Sequence, residues 1–170
     1  MTKLAANRTK SRGFTLIEII AVLIVVGILA AIVVVRATNT ASTNRISRTN
    51  VIKNHIRYAQ AMAMKQGSVW GIKCDGTDYW LFRTTTPDSA ANQRPLPGEY
   101  DTNVPLSAKS ITMTAFTVFF DSGGRPYTAY ANPSSNSPVS AANPLSITVD
   151  SVPGGSSATL QMTPETGFLP

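Results

Sequence analysis

The sequence predicts an α+β chain: a long N-terminal helix followed by a C-terminal antiparallel β-sheet or β-sandwich. Three observations predict it. From Phe14 to Val35 every residue except Thr15 and Glu18 is apolar. Between Arg45 and Gln66 the apolar residues recur at helical spacing. After Gly67 the period changes to two. The 170 residues then divide into a basic leader (1–13), a membrane-length helix (14–35), an amphipathic helix (36–66) and a β-rich head (67–170).

The leader explains most of the charge. Of the 15 Lys and Arg residues, Lys3, Arg8, Lys10 and Arg12 lie in Met1–Gly13, which has no acid, so the remainder carries 11 basic against 9 acidic side chains. The net charge of +6 therefore reads as a topology signal that keeps the N-terminus in the cytoplasm. Arg45, Arg48, Lys53 and Arg57 form a further basic stretch, which a solvated helix face near anionic lipid explains. No specific nucleic acid is expected as a partner.

Phe14–Val35 comprises 22 residues, a helix of about 33 Å against a hydrocarbon core of about 30 Å. No proline precedes Pro87, and Gly27 is the only glycine between Phe14 and Gln66. One rod from Phe14 to Gln66 is expected, about 80 Å long, with its first half in the membrane and its second packed on the head. Arg36–Asn44 is rich in Thr, Ser and Asn, which are poor helix formers, so two helices with a broken joint there stay open as the alternative. In the second half Ile52, Ile56, Ala59 and Ala63 share one face, flanked by Val51, Tyr58 and Met62, while Lys53, Arg57 and Gln60 face away. Gly67 supplies the stop.

Beyond it, "VWGIKC" and "TDYWLF" flank Asp75-Gly76, a pair suited to a type I′ hairpin turn. That turn would set Cys74 opposite Thr77, Ile72 opposite Tyr79 and Trp70 opposite Leu81. Lys73 with Asp78 and Val69 with Phe82 would lie on the other face. Further strands are expected at Lys109–Thr114, Phe116–Phe120, Tyr127–Ala131, Leu145–Asp150 and Ala158–Thr163, five to eight in all, with "SVPGGSS" between the last two. Thr84–Glu99 and Asn132–Pro144 are expected to be loops, the second of them mobile. The long helix would cover one sheet face.

Catalytic chemistry has little to work with. One cysteine, Cys74, excludes an internal disulfide and a multi-cysteine metal site, and in the expected hairpin it is a small strand residue. One histidine, His55, sits at the edge of the apolar arc, where packing or a hydrogen bond is its expected role. Asp121, Asp150 and Glu165 are scattered beside turns. The chain is expected to be no enzyme and to need no cofactor or metal.

Glu18 is the residue that asks for a role. A carboxylate at mid-bilayer costs roughly 2.5–3.5 kcal/mol on insertion scales. Near the start of a helix it can reach the interface, and the helix N-terminus favours an anion. That explains tolerance and not presence. A cut between Gly13 and Phe14 would free an α-amino group on Phe14 at the same membrane edge. That amine on one subunit and Glu18 on its neighbour would neutralise each other in a dry helix bundle, and the pairing can repeat along a filament. Within one helix the two groups also lie at i and i+4.

The stretch "RGFTLIEIIAVLIVVGILAAI" resembles the N-terminal signature of type IV pilins and type II secretion pseudopilins. The resemblance implies a prepilin peptidase that cuts between Gly13 and Phe14 and N-methylates Phe14, and it gives Glu18 a role in subunit docking and efficient methylation. It also implies a pilin-like fold. "IRYAQAMAMKQGSVWGI" (Ile56–Ile72) resembles the helix-to-strand passage of the general secretion protein H and FimT group. "FFDSGGRPY" (Phe119–Tyr127) and "TPETGF" (Thr163–Phe168) are similar to the MSHA-type minor pilin MshC. These later motifs also have a plain structural reading as turns that close strands. Two departures point away from a bulk shaft subunit: no proline breaks the membrane helix, and Cys74 has no partner for a C-terminal disulfide loop.

What the resemblance implies is a minor pilin or pseudopilin subunit that assembles through its N-terminal helix into a type IV pilus of the MSHA type. A minor pseudopilin of a type II secretion system, like general secretion protein H, is the alternative, followed by a single-span membrane-anchored binding protein. Expected partners are other pilin or pseudopilin subunits, the prepilin peptidase, the inner-membrane assembly platform and the membrane. The expected location is the bacterial inner membrane, crossed once, and then a pilus or periplasmic pseudopilus. A secreted enzyme behind an ordinary signal peptide fits less well, because the apolar run exceeds an h-region of about 7–15 residues and contains Glu18.

Overall fold

The computed structural model describes residues 15–152 and 157–170, with the side chains of 32–45 outside the description. The leader, Phe14 and the centre of the "SVPGGSS" turn fall outside the described residues. The chain divides into two compact units, Met1–Thr38 and Asn39–Pro170. Helix α1 runs from Leu16 to Gln66, and Arg36–Asn44, the candidate broken joint, is helical throughout.

Ten strands follow among the described residues: β1 Trp70–Cys74, β2 Asp78–Arg83, β3 Gln93–Arg94, β4 Asn103–Pro105, β5 Ile111–Met113, β6 Phe116–Phe120, β7 Pro126–Asn132, β8 Ser135–Pro138, β9 Ser146–Ser151 and β10 Ala158–Gln161. They form two antiparallel sheets. The larger has the order β3-β2-β1-β6-β7-β8 with β4 also on β2; the smaller has the order β10-β9-β5. The architecture is the α+β arrangement the sequence predicts, a long helix followed by antiparallel sheet.

Within the second unit the helix face is the one its periodicity marks. Ile52, Ile56, Ala59 and Ala63 are buried in one core with Ile72, Leu81, Val118 and Phe120 of the larger sheet and Ile147, Val149 and Leu160 of the smaller. Each buried Ile contributes about 1.5–3 kcal/mol, and the two alanines let the helix backbone come close. The helix ends where Gly67 takes φ +59° and the Ser68 N–H donates to the Ala63 carbonyl at 3.3 Å. That is a Schellman closure, which the Cβ-free residue makes inexpensive.

Lys53, Arg57 and Gln60 face away from this core, and each donates a hydrogen bond to a later part of the chain. Lys53 Nζ donates to the Pro170 carbonyl and Arg57 Nη2 to the Leu169 carbonyl at 2.9 Å. Gln60 Nε2 donates to the carbonyls of Gly124 at 2.8 Å and Thr166 at 2.7 Å. This polar flank clamps the C-terminal segment, and Leu169 is buried as a result.

The first hairpin corrects the expected register by two residues. Cys74 pairs with Tyr79, Ile72 with Leu81 and Trp70 with Arg83. The loop is Gly76-Thr77, with the positive φ of +97° at its first position, the pattern of a type II′ turn. Asp75 does not enter the loop; its Oδ1 accepts from the N–H groups of Thr77 and Asp78, each at 2.8 Å. A shift of two leaves every side chain on its expected face, so the core residues are unaffected. Both expected loops also hold structure. Thr84–Glu99 contains a short 3-10 turn and β3, and Asn132–Pro144 contains β8. β4 lies where no strand was expected. These short edge segments are polar and carry too little periodicity to read.

Trp80, Phe82, Phe119 and Tyr127 build a second, smaller cluster on the far face of the larger sheet. The segment after β2 folds over it: Trp80 Nε1 donates to the Pro87 carbonyl at 2.8 Å, and Lys73 pairs with Asp88 at 2.6 Å. Gly71 makes room for this cluster, because a Cβ there would overlap the Phe82 ring and the Val118 carbonyl oxygen. Gly71→Ala is therefore expected to destabilise the head by about 1–3 kcal/mol. Its thermal midpoint should fall by about 3–10 °C; a calorimetric midpoint equal to that of the unmodified chain would contradict the close packing.

Candidate functional site

The first turn of α1 is built by the residues around Glu18. Thr15 stands immediately before the helix. Its Oγ1 accepts the Glu18 N–H at 3.3 Å, and its carbonyl accepts the N–H groups of Glu18 and Ile19 at 3.1 and 3.3 Å. Thr15-Leu16-Ile17-Glu18 has the T-x-x-E spacing of a capping box, and the hydroxyl half of that box is formed. Thr15 is a capping residue that the sequence reading missed, although the spacing was there to find. Glu18 is the third residue of α1 and exposed, where an anion gains from the unpaired N–H groups of the helix start.

From Leu16 to Leu29 eleven large apolar side chains stand 43–78% exposed on this unit. They point to all sides of the helix, so no single stripe is set aside for a core, and a surface of this kind requires an apolar environment. Gly27 has no neighbour within 4 Å of a built Cβ; with Ala30 and Ala31 it leaves a low stretch of surface where another helix backbone can approach. The sequence places two more small residues, Ala37 and Ala41, further along the helix, with side chains outside the description. Among the described residues no helix is long and apolar enough to cross a membrane. The described side chains of the run extend from Thr15 to Ala31, 17 positions, against about 20 for a span. Gly13 and Phe14 lie outside the described residues, so neither their junction nor a contact between the Phe14 amine and Glu18 is placed.

In the second unit the three later motifs meet at one side chain. Gln60, within Ile56–Ile72, holds Gly124 of Phe119–Tyr127 and Thr166 of Thr163–Phe168 through its amide. Gly124 (φ +79°) lies against Met64, and Gly167 (φ +65°) lies against Gln60 and Phe120, so a Cβ at either would crowd the helix. Asp121 fixes the turn from within: Oδ1 accepts from the N–H groups of Gly123 and Arg125, each at 2.9 Å, and Oδ2 from the Tyr127 hydroxyl at 2.8 Å. Glu165, at φ +64°, faces Arg125 at 3.8 Å. Asp150 lies in β9. Among the described residues no group of three or more His, Cys, Asp or Glu side chains is arranged to hold a metal ion.

His55 is buried with both ring nitrogens engaged. Nε2 is 3.1 Å from the Pro97 carbonyl, which can only accept, so Nε2 carries the proton. Nδ1 then accepts from the Tyr79 hydroxyl at 3.1 Å. Burial lowers the His55 pKa below its ordinary 6.5, with the Pro97 hydrogen bond, Glu99 and Lys109 as smaller influences. Cys74 is buried in β1, and its thiol is pushed up to about 11, mainly by desolvation; a thiol of that kind is a poor nucleophile.

Comparison with known proteins adds one finding. A family model described as the prokaryotic N-terminal methylation motif matches residues 8–34. The match spans Gly13, Phe14 and Glu18 and stops before the second unit. No curated protein matches the chain, and no solved structure does.

The His55 geometry sets a pH dependence. Well above pH 6.5 the imidazole is neutral in both folded and unfolded chains and the full stability is present. As the pH falls below 6.5 the unfolded chain binds the proton first, so stability declines until the folded His55 also protonates. The thermal midpoint of the detergent-extracted chain is expected to drop more between pH 7.5 and 5 than that of the His55→Gln variant, which cannot titrate. Parallel pH profiles for the two proteins would exclude His55 as the cause.

Proposed function

We propose that this chain is a non-enzymatic subunit of a type IV pilin-like filament, made as a precursor that a prepilin peptidase cuts between Gly13 and Phe14 and methylates at Phe14. The observation that carries the proposal is a coincidence. The methylation-motif match at residues 8–34 falls on the helix whose large apolar side chains stand exposed around an acid in the first turn. That surface suits hydrocarbon before assembly and the helices of neighbouring subunits after it.

In this proposal residues 14–35 cross the bacterial inner membrane once with the N-terminus in the cytoplasm. The prepilin peptidase meets the Gly13–Phe14 junction at the membrane edge. The assembly platform then moves the subunit into a filament, where Glu18 pairs with the freed amine of a neighbour's Phe14. Removing both charges together lowers the cost of burying either in a helix bundle. Pilin or pseudopilin subunits and the membrane are the partners, with no cofactor.

The finer assignment we propose is a minor subunit of an MSHA-type pilus, supported by the resemblance of Phe119–Tyr127 and Thr163–Phe168. The second reading, a minor pseudopilin of type II secretion, is supported by the resemblance of Ile56–Ile72. Because all three stretches converge on Gln60, they describe one way of closing the head, and either filament can use it.

Processing tests the proposal. Co-expression with a prepilin peptidase is expected to shorten the chain by residues 1–13 and to add one methyl group, both read in the intact mass of the membrane-extracted protein. Retention of the leader would defeat the proposal, as would loss of a much longer segment. Glu18→Ala is expected to be cut normally, to keep the head's thermal midpoint and to enter sheared fibres poorly; wild-type levels in fibres would remove the docking role of Glu18.

A further inference from the structure

We propose that two copies of this chain dock through their heads, each inserting Tyr100 into a cavity of the other between the first hairpin and β5. The contact belongs to the head, and only the confinement that populates it rests on the membrane and filament reading.

Tyr100 is displayed on a fixed mount. The Glu99 N–H donates to the Leu96 carbonyl at 3.1 Å, closing a turn with Pro97 second and Gly98, at φ +79°, third, the arrangement of a type II turn. Leu96 and Val104, on either side of Tyr100 in the chain, are both buried. His55 Nε2 donates to the Pro97 carbonyl at 3.1 Å, and Glu99 pairs with Lys109 at 2.7 Å. The residue that follows these anchors has no cover of its own. Tyr100 is 103% exposed, against 54% for Phe168, the next large apolar side chain of the head among the described residues. Covering a tyrosine removes about 150–250 Å² from water, a gain that one copy leaves unused.

A cavity of about 370 Å³ opens at the other end of the same segment, lined by Leu106, Ile111 and Val152 and by the hydroxyl-bearing Thr77, Ser107 and Thr112. Its wall is tied to the hairpin, since the Leu106 N–H donates to the Thr77 carbonyl at 2.9 Å. Ligand pockets run from about 300 to 1,000 Å³, so this one suits a single aromatic ring. Among the described residues no charged side chain lines it. An ionic group entering it would lose its water without gaining a partner, whereas a phenol brings an apolar ring and one hydroxyl for the rim.

The missing half of each feature is therefore present on the chain itself. Tyr100 and the cavity stand at the two ends of residues 100–112. A twofold axis beside this segment exchanges them and makes both contacts at once, the self-complementary form common among pairs of identical chains. Two buried rings fall well short of the roughly 1,200 Å² of a stable interface, so the contact is transient in dilute solution. Copies held in one membrane or one filament meet at a high effective concentration, and there it is populated.

Photocrosslinking tests this, because it traps a transient contact. The full chain, with the photoreactive residue benzoylphenylalanine in place of Asp101, is irradiated in its own cells with Tyr100 intact. A light-dependent adduct of twice the chain's mass is expected, joined to the second copy at the cavity rim, within residues 106–112 or at Val152. It should fall about tenfold or more with Tyr100→Ser and persist with Tyr100→Phe, which keeps the ring. Thr112→Trp fills the cavity from an exposed strand position and should remove the adduct equally. Each variant's thermal midpoint should stay within about 5 °C of the parent; should Thr112→Trp fail to fold, Ser107→Trp fills the same cavity from another wall. No adduct, an adduct of any other mass, one joined elsewhere, or one indifferent to Tyr100→Ser or to the filled cavity overturns the proposal. The leader separates this outcome from the filament reading. A chain trimmed of residues 1–13 but lacking the adduct defeats the contact alone, and the adduct on a chain that retains them leaves the contact standing and removes the filament reading.

Discussion

The head depends on how closely one helix face can approach two sheets at once. Ala59 and Ala63 bring the backbone of α1 near β-strand side chains, and Ile52 and Ile56 fill the wider space before them. A larger residue at either alanine would push the helix away from both sheets together. The same closeness selects glycine at 124 and 167, where the turns press on Met64, Gln60 and Phe120. Local backbone strain and long-range packing thus have a single origin, the short distance between α1 and what surrounds it.

How much of this was legible follows from the length over which each signal repeats. The helix face spans twelve residues at a regular period, so Ile52, Ile56, Ala59 and Ala63 could be named before any coordinates. Phe116–Phe120 was also legible to the residue, since a run of aromatic and β-branched residues has few other uses. The hairpin was legible in its faces and misread in its pairing. Asp-Gly favours one turn, but the Asp75 carboxylate does more as a cap on Thr77 and Asp78, which moves the loop to Gly76-Thr77. β3, β4 and β8 were invisible because short polar edges take their conformation from the strand beside them.

For the functional segment the balance differs. Gly13, Phe14 and Glu18 stand out in the sequence because a contiguous motif encloses them, and the methylation-motif match covers the same residues, of which the structure describes Glu18 alone. The structure contributes the cap at Thr15 and the exposure of the apolar side chains on Leu16–Leu29. It shows one helix treated in two ways: beyond Thr49 a narrow arc is buried by the chain's own sheets, and before Ala31 the apolar surface is left for something else. The apolar residues are of similar kinds in both places, and what differs is whether the chain supplies their cover.

The clamp by Lys53, Arg57 and Gln60 has a further bearing on biosynthesis. Leu160, Met162 and Leu169 fill the same core as Ile52, more than a hundred residues earlier in the chain. Translation runs from N-terminus to C-terminus, and domains generally close as units. The head therefore cannot finish folding until its last strand and the segment after it have emerged from the ribosome. Until then the buried arc of Ile52, Ile56, Ala59 and Ala63 stays without its full cover, although it was made a hundred residues earlier.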